Sequence, residues 1–131
     1  VKETAIAIVA DLGTLHRILK CCGKSMAYYM ALSAQPINAH QAMQSGLISH
    51  VHVDRDSLLT EGRQAASNIA QYSPLAVQGT KRVMQFSENH NSRDALEYVA
   101  VWNSAFLRSP DLTEAITAFA QKRKPQFKCK L

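Results

Sequence analysis

The spacing of apolar residues is helical over most of the chain. Leu12, Leu15 and Leu19 recur at steps of three and four residues behind Asp11, which is a typical first residue of a helix. A second helix is expected from Lys24 onward, and it ends at Pro36 because proline cannot continue a helix. The first third of the chain is therefore predicted to hold at least two packed helices.

The middle and the C-terminal part continue this pattern. A short third helix is expected after Asn38, and four more helices are expected after Asp54. Two of these four begin at Ser-Pro pairs, since serine is a preferred cap and proline a preferred first helical residue. The pairs are Ser73-Pro74 and Ser109-Pro110. The last helix is expected to bury an apolar stripe that consists of Leu112, Ile116 and Phe119.

Two segments lack the helical period. Residues 4 to 10 form an apolar run that fits either a buried strand or a packed loop. Residues 47 to 53 alternate enough to predict a strand. A lone strand leaves its backbone groups without partners, so its neighbours are expected upstream of Val1 or in another copy of the chain. The predicted fold is mostly α with one or two short strands.

Length, composition and charge exclude several classes of protein. The 131 residues are 47% hydrophobic, which suits one compact domain, and no apolar run is long enough to cross a membrane. Lys and Arg number 15 against 10 Asp and Glu, which favours polyanionic partners such as phosphates. A nucleic-acid interface would need interleaved aromatic residues that are missing here. Since the chain opens inside an apolar segment at Val1, we expect it to be the C-terminal piece of a longer protein.

Motifs for metals, nucleophiles and cofactors are weak. Cys21, Cys22 and Cys129 have neither zinc-site spacing nor the number needed for a disulfide framework. His50 and His52 would share one face of the predicted strand, but no third ligand is near, so a polar strand face explains them better. The scattered glycines form no phosphate-binding loop. We therefore expect no metal site and no resident cofactor.

Two carboxylates are candidates for acid and base chemistry. Glu3 and Asp11 bracket the apolar run, and apolar surroundings raise the pKa of a carboxyl group toward the range useful for proton transfer. From spacing alone, a structural explanation is the stronger one. Asp11 would then cap the first helix, and Glu3 would lie on a solvated terminus.

The C-terminal residues carry concentrated positive charge and a candidate targeting signal. Five of the 15 basic residues lie within the last ten positions, where they form either a phosphate site or a solvated tail. The final residues Cys129, Lys130 and Leu131 are a variant of the Ser-Lys-Leu peroxisomal signal, which predicts a peroxisomal location.

Five segments carry a family resemblance, namely residues 3–17, 42–49, 73–81, 98–103 and 118–127. Together and in this order, they resemble the C-terminal half of the enoyl-CoA hydratase/isomerase (crotonase) superfamily. Asp11 stands eight residues after Glu3, where hydratases usually carry glycine, so the resemblance is greatest to the Δ3,5-Δ2,4-dienoyl-CoA isomerases. Ala7, where the family usually has Gly, and Ile18-Leu19, where it often has Leu-Pro, depart from the pattern.

The resemblance implies a fold and an assembly. The chain would be the C-terminal part of a crotonase-like (ClpP/crotonase) α/β superhelix plus a helical trimerisation region. Residues 1–72 would complete the core and part of the active site, and residues 73–131 would form the oligomerisation region. The expected assembly is a homo-oligomer, a trimer or a dimer of trimers, that also requires the missing N-terminal half of the protein.

The resemblance also implies a substrate and roles for residues. The substrate would be an acyl-CoA thioester, which carries coenzyme A itself, so no separate cofactor is needed. Glu3 would remove the C2 proton and Asp11 would return a proton at C6, while Phe119 and Lys122 would help hold coenzyme A bound by a neighbouring subunit. Since the oxyanion hole belongs to the missing half, the chain alone is expected to be inactive. The implied location is a peroxisome or glycosome, with the mitochondrion as the alternative.

Two further interpretations stay open. If Asp11 merely caps its helix, the complete protein would be an enoyl-CoA hydratase or an unusual member of the family with another reaction. The chain would instead be a non-catalytic oligomerisation module if it works without the oxyanion half.

Overall fold

The computed structural model describes residues 1–128, and these residues are helical with no β-strand. The chain divides into two compact units, residues 1–60 and residues 61 onward. No helix in the described range is long and apolar enough to cross a membrane. A 3₁₀ helix at Glu3–Ile6 is followed by α1 (Thr14–Cys21), α2 (Lys24–Ser33), α3 (Ala39–Gln44), α4 (Arg55–Ile69), α5 (Pro74–Ser87), α6 (Ser92–Phe106) and α7 (Pro110–Ala120).

The predicted strand at residues 47–53 is not confirmed. After α3 the chain turns at Gly46, which has a φ of 81°, and the amides of Leu47 and Ile48 then donate back to the carbonyl of Ala42, at 3.0 and 3.4 Å. The rest of the segment is irregular. The alternating pattern finds no neighbouring strand among the described residues, and without a ladder an extended segment is not stabilised.

Unit one is held by small residues and backbone contacts. Its buried apolar residues are Ala27, Met30, Ala34 and Ala42, so helices α2 and α3 supply most of them. The hydroxyl of Thr4 donates to the carbonyl of Ala31 at 2.7 Å, which fastens the 3₁₀ helix to α2. The apolar surface area buried here is small, because three of the four buried side chains are single methyl groups.

The predicted helix starts are confirmed where a side-chain cap is present. Asn38 and Gln41 form a reciprocal capping box at α3, with both bonds at 2.9 Å. Ser73 caps α5 and Ser109 caps α7, each followed by proline as the sequence predicts. The first helix is different, since Gly13 and not Asp11 precedes it and no side-chain cap is made there. The prediction that Asp11 starts this helix is therefore wrong.

Unit two contains one close approach between helices. Gly79 of α5 is buried against the Trp102 indole of α6, and a Cβ at Gly79 would lie 2.8 Å from Cε2 and 3.1 Å from Cζ2. Only a residue without a side chain allows the two helices to approach this far. Trp102 also packs on Phe106, with 4.9 Å between the ring centres.

A buried carboxylate joins the starts of α5 and α7. Asp111 is 5% exposed and accepts a hydrogen bond of 2.6 Å from the Ser73 hydroxyl. The same Ser73 oxygen accepts the Ala76 amide at 3.3 Å, so one hydroxyl caps α5 and satisfies the carboxylate. Asp111 lies in the first turn of α7, where the helix dipole favours a negative charge.

We expect Asp111→Ala to destabilise unit two by about 1–3 kcal/mol, because it leaves the half-buried Ser73 hydroxyl without its acceptor. Urea unfolding followed by Trp102 fluorescence measures the change. Asp56→Ala is the matched control, since Asp56 is an exposed acid in the first turn of α4 and should cost at most ~1 kcal/mol. Equal effects of the two substitutions would contradict a special role for the buried bond.

The predicted burial of the α7 stripe is wrong. Leu112, Ile116 and Phe119 are 37, 62 and 87% exposed, whereas the buried residues of α7 are Asp111 and Ala118. Helical periodicity identifies an apolar face but does not say whether the cover for that face belongs to the same chain. Among the described residues, the stripe is partly covered at Leu112 and largely uncovered at Ile116 and Phe119.

Candidate functional site

Glu3 is the first residue of the 3₁₀ helix, and its carboxylate is held by backbone amides. The Lys2 amide donates to Glu3 Oε2 at 2.8 Å. Hydrogen bonds from the backbone amides of Glu3 itself and of Lys2 hold the pKa of the Glu3 carboxyl below its ordinary value. The expected rise from apolar surroundings is therefore not seen. The physical reason is that the run is exposed, with Val9 77% accessible, and does not enclose the carboxyl group.

A sharp turn follows Glu3 at Ala7. This residue has a φ of 60°, its amide donates to the Thr4 carbonyl at 3.3 Å, and the next amide, of Ile8, donates to the Glu3 carbonyl at 3.0 Å. A left-handed conformation is cheap for glycine and unfavourable for alanine. The turn thus gives a physical reason for the glycine that the resemblance leads us to expect at this position.

The apolar residues that follow this turn line a hollow of about 370 Å³ within unit one. Ala7 and the three residues after it form one wall, and Leu15, Ala31 and Leu32 belong to the others. The lining is mostly apolar and suits a hydrocarbon chain. Glu3 and Asp11 do not line the hollow, but they flank its wall in sequence.

Asp11 is exposed and lies in the bend between this wall and α1. Because Gly13 takes the position that precedes the helix, Asp11 does not serve as its cap. The explanation of this carboxylate as a helix cap is thereby removed. The described residues show no hydrogen bond between Glu3 and Asp11, and the two remain candidates at opposite ends of one wall.

Phe119 and Lys122 lie at the C-terminal end of α7 and are exposed. Lys122 has a φ of 52°, its amide donates to the Phe119 carbonyl at 3.1 Å, and the Arg123 amide donates to the Ala118 carbonyl at 3.0 Å. This pair of bonds is a Schellman motif, whose left-handed position usually carries glycine. A lysine therefore occupies a strained position at the end of the helix.

Glu114 was not singled out by the sequence, yet it organises the tail. It accepts Arg123 Nη1 at 2.6 Å and Nη2 at 2.9 Å, and its Oε1 also accepts the Gln126 amide at 2.7 Å. The Arg123 hydrogen bonds, followed by that of Gln126, lower the pKa of the Glu114 carboxyl to about 2. We call Glu114, Arg123 and Gln126 the clasp. Nine residues separate Glu114 from Arg123, which is not a helical neighbour spacing, so no sequence rule pairs them.

We expect the clasp to stay closed well into the acidic range. A carboxyl group with a pKa lowered from 4.5 to about 2 contributes stability above pH 4.5, and this contribution is lost as the pH falls through 2. An NMR titration of the Gln126 amide should show its transition near pH 2. The Glu114→Gln variant should lack this transition, and a wild-type midpoint at the ordinary value would contradict the assignment.

The remaining sequence candidates form no site in the described residues. The rings of His50 and His52 stack with centres 6.3 Å apart, outside any strand, and no group of three His, Cys, Asp or Glu side chains in the described range is placed to hold a metal ion. Cys21 and Cys22 are free thiols. Cys129, Lys130 and Leu131 lie outside the described residues.

Comparisons with known proteins assign the family. Residues 1–130 match the family Enoyl-CoA hydratase/isomerase. A mitochondrial Delta(3,5)-Delta(2,4)-dienoyl-CoA isomerase of Dictyostelium discoideum is 47% identical over 100% of this chain and 45% of its own length. A peroxisomal isomerase of the same name from Arabidopsis thaliana is 43% identical over 97% of this chain and 46% of its length.

Solved structures agree with the sequence relatives. The crystal structure of an enoyl-CoA hydratase from Bacillus anthracis superimposes with a TM-score of 0.92 at 25% identity, covering 98% of this chain and 50% of the other. The chain thus spans about half the length of the proteins that it matches. It belongs to the enoyl-CoA hydratase/isomerase (crotonase) family and corresponds to the C-terminal half of its members.

Proposed function

We propose that the chain is the C-terminal half of an acyl-CoA isomerase of fatty-acid β-oxidation that converts 3,5-dienoyl-CoA into 2,4-dienoyl-CoA. The observation that carries the proposal is the placement of Asp11. Asp11 is exposed and directly follows the wall in sequence, and it has no capping role because Gly13 precedes α1. The names of the two relatives above support the same reaction.

The proposed reaction removes a proton from C2 and adds another proton at C6. A thioester carbonyl acidifies C2, so the Glu3 carboxylate takes the C2 proton and the electron pair enters a conjugated dienolate. Asp11 in its acid form then donates a proton to C6, which shifts the double bonds from C3 and C5 to C2 and C4. Glu3 ends as the acid and Asp11 as the carboxylate, and a proton exchange with water restores both.

The complete enzyme has to change the surroundings of Glu3. Amide hydrogen bonds lower the pKa of this carboxyl in the described chain, whereas a base matched to its task has a pKa nearer neutrality. We propose that substrate and the N-terminal half enclose the run and so raise the pKa by desolvation. The N-terminal half would also supply the backbone amides that stabilise the dienolate oxygen, so the chain alone would be inactive.

We further propose that the second half of the chain binds coenzyme A across a subunit boundary. Phe119 and Lys122 are exposed at one helix end, which leaves an aromatic ring and an ammonium group available for the nucleotide part of the substrate. The largely uncovered α7 stripe supports an assembly of copies, a trimer or a dimer of trimers. In this proposal residues 1–72 complete the catalytic core and residues 73–131 form the oligomerisation region.

Coenzyme A would enter only as part of the substrate, so the proposal includes no resident cofactor and no metal. It also includes no nucleic-acid partner. Relatives are named as peroxisomal and as mitochondrial proteins. The proposed location is therefore a peroxisome or glycosome, with the mitochondrion as the alternative.

The test uses the complete enzyme, meaning this chain joined to its N-terminal half. A 3,5-dienoyl-CoA substrate should gain the ultraviolet absorbance of a diene conjugated with the thioester. A 2-enoyl-CoA substrate should lose absorbance only if water adds across C2 and C3. Turnover of the enoyl substrate alone would overturn the isomerase in favour of a hydratase, the activity named for the B. anthracis structure. A stable trimer that turns over neither substrate would indicate an oligomerisation module.

A further inference from the structure

The clasp fixes the segment on both sides of Lys122. Arg123 is bound to Glu114 by two parallel hydrogen bonds, and its Nε also donates to Gln121 Oε1 at 2.8 Å. Arg123 Nη1 also donates a hydrogen bond to the Lys124 carbonyl at 3.2 Å. One guanidinium therefore binds Gln121, before the strained turn, and Lys124, after it. Bidentate pairing gives this contact a defined orientation as well as strength.

Lys122 occupies a backbone conformation that it would not adopt by itself. Its φ of 52° is left-handed, and such a conformation persists for a lysine only where neighbouring contacts determine it. Glycine would relieve the strain but would remove the ammonium group. The clasp supplies the neighbouring contacts, because Glu114 holds both Arg123 and the Gln126 amide.

We propose that Glu114 is a positioning residue for coenzyme A: by holding Arg123 and Gln126 it keeps Lys122 in the turn from which its ammonium meets the phosphates of the substrate. The inference rests on the proposed function for the role of Lys122. In this inference Glu114 touches no substrate, and its effect is confined to the binding of the phosphate end of the thioester.

The kinetic test separates positioning from general support of the fold. In the complete enzyme, Glu114→Gln should raise the KM for the dienoyl-CoA roughly three- to tenfold and leave kcat unchanged. The corresponding pantetheine thioester, which lacks the nucleotide phosphates that Lys122 would meet, should show an unchanged KM. A merely structural role would alter the constants of both substrates.

Three further single variants and one double variant complete the test. Lys122→Met should raise the KM for the CoA thioester by a similar factor, and the double variant should add little to it, because both act on one contact. Arg123→Lys keeps the positive charge but loses the paired guanidinium hydrogen bonds to Glu114. It should therefore raise the KM for the CoA thioester by a smaller factor. Glu97→Gln, in the exposed Arg93–Glu97 pair of α6, is the matched control and should change nothing.

The outcomes distinguish the inference from the function beneath it. If Lys122→Met leaves the KM for the CoA thioester unchanged, the proposed coenzyme A contact is wrong and the inference falls with it. If Lys122→Met weakens binding but Glu114→Gln does not, the contact stands and the positioning role is overturned.

Hydrogen exchange gives an independent reading, and failure of Glu114→Gln to speed exchange of the Gln126 amide would also overturn the positioning role. Faster exchange together with the CoA-specific rise in KM would support it.

Discussion

Asp11→Asn in the complete enzyme should lower kcat for isomerisation roughly 10²–10⁴-fold, because asparagine has the shape of aspartate but cannot deliver a proton to C6. The fold should tolerate the change, since Asp11 is exposed and caps no helix. The measurement is the formation of the conjugated 2,4-dienoyl thioester, with thermal unfolding and light scattering as checks that the assembly persists.

The roles of the two carboxylates can be separated in deuterated water. With Asp11→Asn, Glu3 should still exchange the C2 proton of the substrate for deuterium, whereas Glu3→Gln should abolish this exchange together with isomerisation. Asp56→Asn, at an exposed acid of α4, is the control and should leave both rates unchanged. Full isomerase activity in Asp11→Asn would sink the proposed reaction.

Gly79→Ala is expected to destabilise unit two, although alanine is the better helix former. The added methyl group would lie within 2.8 Å of an indole carbon of Trp102, so α5 and α6 must move apart or the ring must leave its position. Overpacking of this kind costs typically 1–3 kcal/mol, and the better helix propensity of alanine offsets about 1 kcal/mol of it at most. Urea unfolding followed by the fluorescence of Trp102, the single tryptophan of the sequence, reports directly on this contact.

A second glycine in a helix provides the matched control. Gly62 lies within α4 with nothing near its missing Cβ, so Gly62→Ala should stabilise the chain by about 0.5–1 kcal/mol through helix propensity alone. Gly79→Ala combined with Trp102→Phe should recover part of the loss, since the smaller ring leaves room for the methyl group. Equal effects of the two alanine substitutions would contradict the close approach.

The helical content of the chain and most of its helix starts were predictable, because they depend on local chemistry. Asn38, Ser73 and Ser109 each place a side-chain oxygen where the first free amides of a helix need an acceptor. The α1 start was missed for the same reason, since Gly13 brings no such oxygen and a nearby Asp11 resembled a better cap. The strand at residues 47–53 was not confirmed, because a strand depends on partners that its own pattern does not specify.

The candidate site was predictable only in part. Sequence resemblance indicates Glu3, Asp11, Phe119 and Lys122 as candidates, but the surroundings of these residues depend on contacts that no resemblance specifies. The amide hydrogen bonds that lower the pKa of Glu3 follow from the 3₁₀ geometry at the start of the chain. The clasp joins Glu114 to residues 9 and 12 positions later, a distance at which no pairwise spacing rule operates.

The bond between Ser73 and Asp111 also bears on the order in which unit two folds. It joins residues 38 positions apart, whereas α5 and α6 are consecutive helices joined by a short connection. Contacts between near neighbours in sequence close smaller loops and form at lower entropic cost, so the α5–α6 pair is expected to form first. We expect the Asp111 carboxylate to bind Ser73, and so to fix α7, only after the main folding barrier has been crossed. Loss of this bond should therefore quicken unfolding while the folding rate stays nearly constant.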